Sequence, residues 1–363
     1  MLLKDLYSQE FYKEFTAIAK DSLPNFVEND FLKLIFTKEF EAMELKQRIR
    51  HSANVLANFL PSDFRDAVPV LTSLSRAVKK STGKNQSFEY IFLADYIEEY
   101  GVQHFDESMQ AIEIVTQCSS CEFAIRPFLL HYFDKAIEQM KLFALHSDAN
   151  VRRFSSEGSR PRLPWGKGVP MLKQNPETIL PILEILRNDT SDYVRRSVAN
   201  NLNDISKDHQ TFFIETVKLW HNEENTIDIL HHASRTLLKQ GNKEIGQLFG
   251  LKEDVLNVLD WKIYTQSVSI GETVRFEVEI ENTSNETVNA RIEYVLYFLM
   301  KNGEYSKKVF MISKQKIEGG SKKVYIKNHS FKPITTRTYY KGEHKLSLQV
   351  NGIETESKTF TLL

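Results

Sequence analysis

Between Val151 and Lys173 six basic side chains (Arg152, Arg153, Arg160, Arg162, Lys167 and Lys173) stand against a single acid, Glu157, in a chain whose formal net charge is −1. A local charge of +5 concentrated in one stretch is a phosphate-binding composition, since guanidinium and ammonium groups pair with phosphate oxygens. The same stretch carries Trp165 between Pro164 and Gly166, an aromatic face set in a turn. It opens as a helix, with Ser147 and Asp148 as caps before Val151, Arg152, Arg153 and Phe154. Gly158, Pro161 and Pro164 then end regular helix and lead into a basic loop.

The opening of this stretch returns 43 residues later: Val194-Arg195-Arg196 repeats Val151-Arg152-Arg153, a period typical of HEAT-like helical repeats. In the second copy Val194, Val198, Leu202 and Ile205 form an apolar stripe, with Tyr193, Ser197, Asn200 and Asp204 as a neighbouring polar one. Under the same offset Glu157 falls on that polar stripe, at the place of Asn200, and Pro161 at the place of Asp204. The first copy therefore stops a turn early. A repeat that breaks its own pattern with Pro, Trp and Arg marks a place where function overrides regularity.

The elements that must position these residues are helical through residue 254 and alternating beyond it. Apolar periodicity predicts helices over Leu3–Lys20, Asp30–Leu60, Asp63–Ser81, Phe88–Tyr100, Asp106–Gln117, Phe128–His146, Glu177–Arg187, Asp192–Lys207, Gln210–His221 and Thr226–Gln240. Pro24, Pro61, Gly83, Gly101 and Gly241 read as stops, Asp106 and Asn225 as N-caps. From about Val255 the pattern alternates, most strictly over Thr273–Ile280 and Lys345–Val350, the latter running into an Asn351-Gly352 turn. About seven such strands make an immunoglobulin-like sandwich. The expected architecture is mainly α: a HEAT-like α-solenoid with a concave face over residues 1–254, followed by an immunoglobulin-like β-sandwich over 255–363.

Composition excludes several classes. No run approaches the ~18 apolar residues of a membrane span, and acids appear too early for a signal or transit peptide, so the expected location is cytoplasmic. Cys118 and Cys121 lack both the βαβ context of a redox pair and spaced His partners for zinc, and read as ordinary buried thiols. Residues 255–363 carry a net charge of +4 and residues 1–254 one of −5. An acidic body with one basic patch implies a defined groove rather than a general polyanion coat.

The blocks S-S-C-E-F-A-I-R-P-F (119–128), V-R-R-F-S-S-E-G-S-R-P-R-L-P-W (151–165) and V-R-R-S-V-A-N-N-L-N-D-I-S-K (194–207) resemble the DNA alkylation repair proteins, the HEAT-like repeat DNA glycosylases. The appended sandwich resembles the AlkC branch in particular; the AlkD branch is similar to the solenoid alone. The resemblance implies a monofunctional hydrolase of base excision repair. It would remove N3-methylated bases, 3-methyladenine and 3-methylcytosine, from double-stranded alkylated DNA left unflipped in a bent duplex. It also implies a monomer without cofactor or metal, associated with a bacterial nucleoid.

An N3-alkylated base is cationic and departs readily, so the demand falls on the oxocarbenium-like sugar. Glu157 and Asp204 would oppose that charge and orient water, and Trp165 would offer a π face. The resemblance also places a site carboxylate in the first block, at Glu122; Ser119 and Glu122 equally spell a capping box. Arg152, Arg153, Arg160, Arg162, Lys167, Arg195 and Arg196 would bind phosphates, with Lys332, Arg337 and Lys341 of the sandwich gripping the opposite groove. The competing reading is a non-catalytic HEAT scaffold for structured DNA or proteins.

Overall fold

The computed structural model describes residues 2–23, 26–223 and 226–363, so the stop expected at Pro24 and the cap expected at Asn225 lie outside the described residues. Sixteen α-helices among these residues precede nine strands. The chain divides into two compact units, one of Met1–Phe213 with Glu223–Ala233, the other of Ile214–Asn222 with Ser234–Leu363.

The first unit holds α1 (Gln9–Ser22), α2 (Glu28–Ile35), α3 (Leu45–Ala57), α4 (Phe64–Thr82), α5 (Ile91–Tyr100) and α6 (Phe105–Val115). It continues through α7 (Ile125–His131), α8 (Phe133–Ala144), α9 (Ala149–Gly158), α10 (Pro170–Gln174), α11 (Leu180–Leu186) and α12 (Asp192–Ile205). The first turn of α13 (Gln210–Trp220) and the whole of α14 (Ile227–Ala233) complete it. Helices two or three apart in the chain stack, α3 on α5, α4 on α6, α8 on α11, α9 on α12 and α12 on α14, the arrangement of a helical-repeat array. The apolar stripe of α12 is buried as its spacing predicts: Val194, Val198, Leu202 and Ile205 are all inaccessible.

Five expected helices are broken: Leu3–Lys20 between a 3₁₀ turn (Leu3–Leu6) and α1, which Ser8 caps by accepting from the Phe11 amide at 3.2 Å, Glu177–Arg187 at Ile179, Thr226–Gln240 at Ser234, and the two that follow. Asp30–Leu60 is interrupted after Ile35 by a 3₁₀ turn at Phe40–Ala42 before α3 begins. Phe36 and Phe40 both turn in against Tyr12, at 5.5 and 6.1 Å between ring centroids. Arg48 donates to the freed carbonyls of Met43 (3.2 Å) and Glu41 (3.4 Å), and to that of Lys4 (3.1 Å). Buried aromatic area outweighs helix continuity here. Phe128–His146 breaks at Tyr132 (φ −137°), which packs edge-on against Phe105, and the helix before the break starts at Ile125, ahead of Pro127. The N-terminus of α6 is capped at His104, so Asp106 lies within its first turn.

In the second unit α15 (Arg235–Lys239) and α16 (Lys243–Leu248) precede strands β1 (Leu256–Ile263), β2 (Ser267–Val268), β3 (Thr273–Asn282), β4 (Val288–Leu299), β5 (Tyr305–Ile317), β6 (Lys322–Ser330), β7 (Gly342–Val350), β8 (Ile353–Glu354) and β9 (Lys358–Leu362). They form one sheet of order β1-β3-β6 and another of order β2-β9-β7-β4-β5, with β8 beside β7. In β3 Val274, Phe276, Val278 and Ile280 are buried and alternate with outward Arg275, Glu277 and Glu279. In β7 the alternation does not expose a face, because Ser347 and Gln349 are buried too. Gln349 donates to the Lys239 carbonyl at 3.2 Å, and the Asn351 and Asn289 amides reach the carbonyls of Lys252 (2.7 Å) and Phe249 (3.3 Å). The segment that carries α15 and α16 thus binds to one face of the sandwich. Asn351 (φ 48°) and Gly352 (φ 91°) form the expected turn between β7 and β8.

Candidate active site

The site begins where α9 ends. Asp148 caps this helix by accepting from the Asn150 amide at 2.7 Å. At its other end Gly158 permits a close crossing: a Cβ there would lie 2.9 Å from Ile125 Cγ2 of α7. That proximity admits Arg126, which is 1% exposed and donates to the carbonyls of Gly158 (2.9 Å), Arg160 (3.0 Å) and Lys167 (2.8 Å). Its acceptors among the described residues are all backbone carbonyls, and burial lowers its pKa to about 10. Arg126 therefore braces both ends of the Trp165 loop from beneath. The sequence offered a signal for this role in a lone arginine inside the apolar run Ala124–Leu129.

From α9 an alternating chain of charges runs toward α12. The Glu122 carboxylate, on the turn before α7, accepts from Arg153 and, at 2.7 Å, from Ser120 Oγ. Arg153 reaches on to Glu157 at 3.6 Å, with its guanidinium 4.9 Å from the centre of the Tyr193 ring. Glu157 accepts from Ser197 Oγ (2.7 Å) and Arg160 Nη1 (2.6 Å), and Arg160 Nε donates onward to Asp204 at 2.8 Å. Lys207 Nζ closes the chain on the other Asp204 oxygen at 3.0 Å. Asp204 is 1% exposed and Glu157 5%.

The repeat geometry explains the convergence. α9 and α12 pack side by side, and Asn201 ties them by donating to the Ser156 carbonyl (2.8 Å) and Ser159 Oγ (3.2 Å). Of the polar stripe on α12, Tyr193, Ser197 and Asp204 contact groups from α9 and its loop, whereas Asn200 bonds His232 of α14. Three carboxylates share two arginines, the half-buried Arg153 and the buried Arg160, and the more exposed Lys207 balances the remaining negative charge. Carboxylates so placed can oppose a transient cation and hold a water.

The capping-box alternative for Glu122 does not form: the Ser119 hydroxyl is buried without a partner, and α7 starts at Ile125 behind Ala124. Trp165 adopts φ 64° and is 56% exposed. A left-handed conformation costs a bulky residue about 1–2 kcal/mol. It is held by Lys46 Nζ donating to the Trp165 carbonyl (2.6 Å) and by Gly166 N donating to the Leu163 carbonyl (3.2 Å).

The basic residues separate into groups. Arg153 and Arg160 lie inside the carboxylate chain. Arg152 is held by Asp189 in a two-point pair (2.5 and 2.9 Å), and Arg162 by Asp208 (2.9 and 2.6 Å) with more of its side chain exposed. Lys167 pairs with Glu98 at 2.8 Å, and Arg195 with Asp192. Arg196 is exposed. In the other unit Lys332 and Lys341 are exposed, and Arg337 stacks 3.9 Å over Phe298 at the edge of a cavity of about 730 Å³ that Lys301 and Lys308 also line. Cys118 and Cys121 are buried free thiols; burial pushes Cys118 up to about 12 and Cys121 well above its ordinary value, which makes both poor nucleophiles.

The family model described as "Uncharacterised protein YhaZ, C-terminal Ig-like domain" matches residues 257–363. The chain is 39% identical to the YhaZ protein of Bacillus subtilis (strain 168) over 360 residues, covering 99% of this chain and 98% of that one. Its fold is similar, with a TM-score of 0.92 and 29% identity over 100% of both chains, to the alkylpurine DNA glycosylase AlkC of Pseudomonas fluorescens, solved bound to DNA containing an abasic site analog.

Proposed function

The chain belongs to the YhaZ family, as an AlkC-type protein with a C-terminal immunoglobulin-like domain, and from that premise we propose that it is a DNA glycosylase. The proposed substrate is a cationic N3-alkylated base, 3-methyladenine or 3-methylcytosine, in duplex DNA. The proposed reaction is monofunctional hydrolysis of its N-glycosidic bond.

The observation that carries this reading is the largely buried chain from Glu122 through Arg153, Glu157 and Arg160 to Asp204, followed in sequence by the loop that exposes the ring of Trp165. Positive charge that develops on the deoxyribose meets carboxylates already fixed in a low-dielectric setting, so little reorganisation is needed as the bond breaks. Trp165 presents its face to the cationic base. Water, oriented by a site carboxylate, adds to the sugar carbon. The base leaves without flipping into a pocket. Arg153 and Arg160 are positioning residues in this account. Phosphate contacts fall to Arg152, Arg162, Lys167, Arg195 and Arg196, and in the sandwich to Lys332, Arg337 and Lys341. We assign the chain as a monomer acting on nucleoid DNA in the cytoplasm, with the domain boundary at 254/255 where helical character gives way to strands.

The test is release of free base from N-methylated duplex DNA by the purified protein. The expected result is release of 3-methyladenine while uracil and hypoxanthine stay in place, because a neutral base needs a proton that this site does not supply. Rapid uracil release would sink the mechanism. Binding of the duplex with no release of any base would favour the non-catalytic scaffold, with the same salt bridges serving only to join the repeats.

A further inference from the structure

A second concavity lies against the Trp165 loop, between it and helices α3 and α5. It encloses about 230 Å³, small against the roughly 300–1,000 Å³ of sites that take drug-sized ligands. Its apolar lining includes three aromatic side chains, Phe88, Phe123 and Trp165. Its polar lining includes Asp95 and Glu98, one turn apart on α5 and each largely buried. Arg50 bonds Asp95 at 2.5 and 3.2 Å, lies 3.6 Å from Glu98 and pairs also with Glu99, while the half-exposed Lys167 reaches Glu98 at 2.8 Å. Three carboxylates against two cations leave acceptor capacity in the rim.

Resting on the glycosylase reading, we propose that this cavity binds the released base, as a planar amino-substituted heteroaromatic ring. Aromatic walls suit a flat ring, and the volume suits a free base better than a nucleotide with its sugar and phosphate. Asp95 and Glu98 accept from an exocyclic amine, and Lys167 and Arg50 donate to ring nitrogens. The cavity shares Trp165 and Lys167 with the loop at the reaction site, and Phe123 follows Glu122 directly, so a base leaving the sugar has an aromatic surface to move onto. Retaining the base there delays product release and makes free base an inhibitor of turnover.

The experiment measures binding of free 3-methyladenine to the full chain by calorimetry, without DNA, beside 3-methylcytosine, hypoxanthine and uracil. The amino bases are expected to bind at least about tenfold more tightly than the two without an exocyclic amine, the worth of one good hydrogen bond to a charged group. Phe88→Ala, which removes a wall and none of the reaction site, is expected to weaken binding about tenfold and relieve inhibition by added base. Its single-turnover excision rate should stay that of the wild type. Glu98→Gln gives a second measure, with loss of the preference for amino bases. No binding of 3-methyladenine at millimolar concentration, or equal binding by Phe88→Ala with its fold intact, overturns the proposal even where excision is robust. Binding of free base by a protein that excises none would leave the cavity standing and remove the glycosylase reading instead.

Discussion

Replacing Asp204 with asparagine alters charge at the end of the buried chain while leaving shape almost unchanged. Asp204 accepts from Arg160 Nε at 2.8 Å on one oxygen and from Lys207 Nζ at 3.0 Å on the other. The carboxamide of the Asp204→Asn variant can keep its oxygen toward Arg160, but its NH₂ then faces the Lys207 ammonium. Lys207 has about a third of its side chain exposed and can turn to solvent. Arg160 retains Glu157 at 2.6 Å, so no guanidinium is left buried and unpaired. The stability cost is therefore nearer the ~1.5–3 kcal/mol of a hydrogen bond to a charged group than the ~3–5 kcal/mol of a broken buried pair. The catalytic cost is set by loss of a fixed negative charge opposite the sugar cation, about 10²–10³ in rate, or roughly 2.7–4 kcal/mol. Single-turnover release of 3-methyladenine with protein in excess reads the rate, and binding to duplex carrying an abasic analogue reads affinity. The expected result is a hundredfold or greater loss of rate, on the order of that range, with affinity unchanged. A rate within about threefold of wild type, or a loss of rate matched by a loss of affinity, refutes the electrostatic role.

Trp165→Ala is expected to slow release of the cationic base by about 1–2 kcal/mol, the range for a desolvated cation–π contact, as measured in the same single-turnover assay. Arg162→Ala leaves chemistry intact but weakens duplex binding across sequences and lowers its salt slope by roughly one unit per lost phosphate contact, read from affinity at several salt concentrations. Arg126→Lys replaces a planar fork by a single ammonium that cannot serve the Gly158, Arg160 and Lys167 carbonyls in the same geometry, so thermal stability should fall by about 2–3 kcal/mol and excision should slow more than binding weakens. Burial lowers His329 from 6.5 to about 4, so within that window the unfolded chain takes up a proton that the folded sandwich refuses. Stability should accordingly fall as pH drops from neutrality toward 4, and His329→Gln should flatten that fall in a melting series.

The 43-residue echo of Val-Arg-Arg and the shortened helix before the Trp165 loop are legible in the sequence because they are local: a stripe of apolar residues and a Gly followed by prolines. The stacking of α9 on α12 follows from that echo. The partners of the arginines do not. Arg160 and Asp204 lie 44 positions apart, and nothing in composition separates an arginine that enters a carboxylate chain from one that meets solvent. Arg152 and Arg153 are adjacent in sequence and point to different partners, Asp189 and Glu122, because successive residues of a helix project about 100° apart. Helix breaks at Phe36 and Tyr132 were equally hidden, since they carry no Gly or Pro and arise from aromatic packing with distant residues. The second covered face of β7 has the same origin. Gln349 looks like an outward residue until the Lys239 carbonyl arrives above it.

The pairing of every site carboxylate with a cation also bears on which bases can leave. Glu157 accepts from Arg160 and Ser197, and Asp204 from Arg160 and Lys207, so each carboxylate is surrounded by donors. On the proposed reading these carboxylates act through their charge and not by proton delivery. Glycosidic cleavage that relied on general acid catalysis would need one carboxyl in apolar surroundings, away from arginine. What the chain from Glu122 to Asp204 offers instead is a fixed field. Arg153 and Arg160 stand between three carboxylates that would otherwise repel one another, and the more exposed Lys207 meets the remaining negative charge, so the carboxylates are held fixed in place. On the proposed reading such a field stabilises a sugar cation but does not stabilise the negative charge with which an unprotonated neutral base would depart. On the proposed glycosylase reading, selectivity for bases that carry their own positive charge would follow from how the carboxylates are held, with no pocket needed to read the lesion's shape.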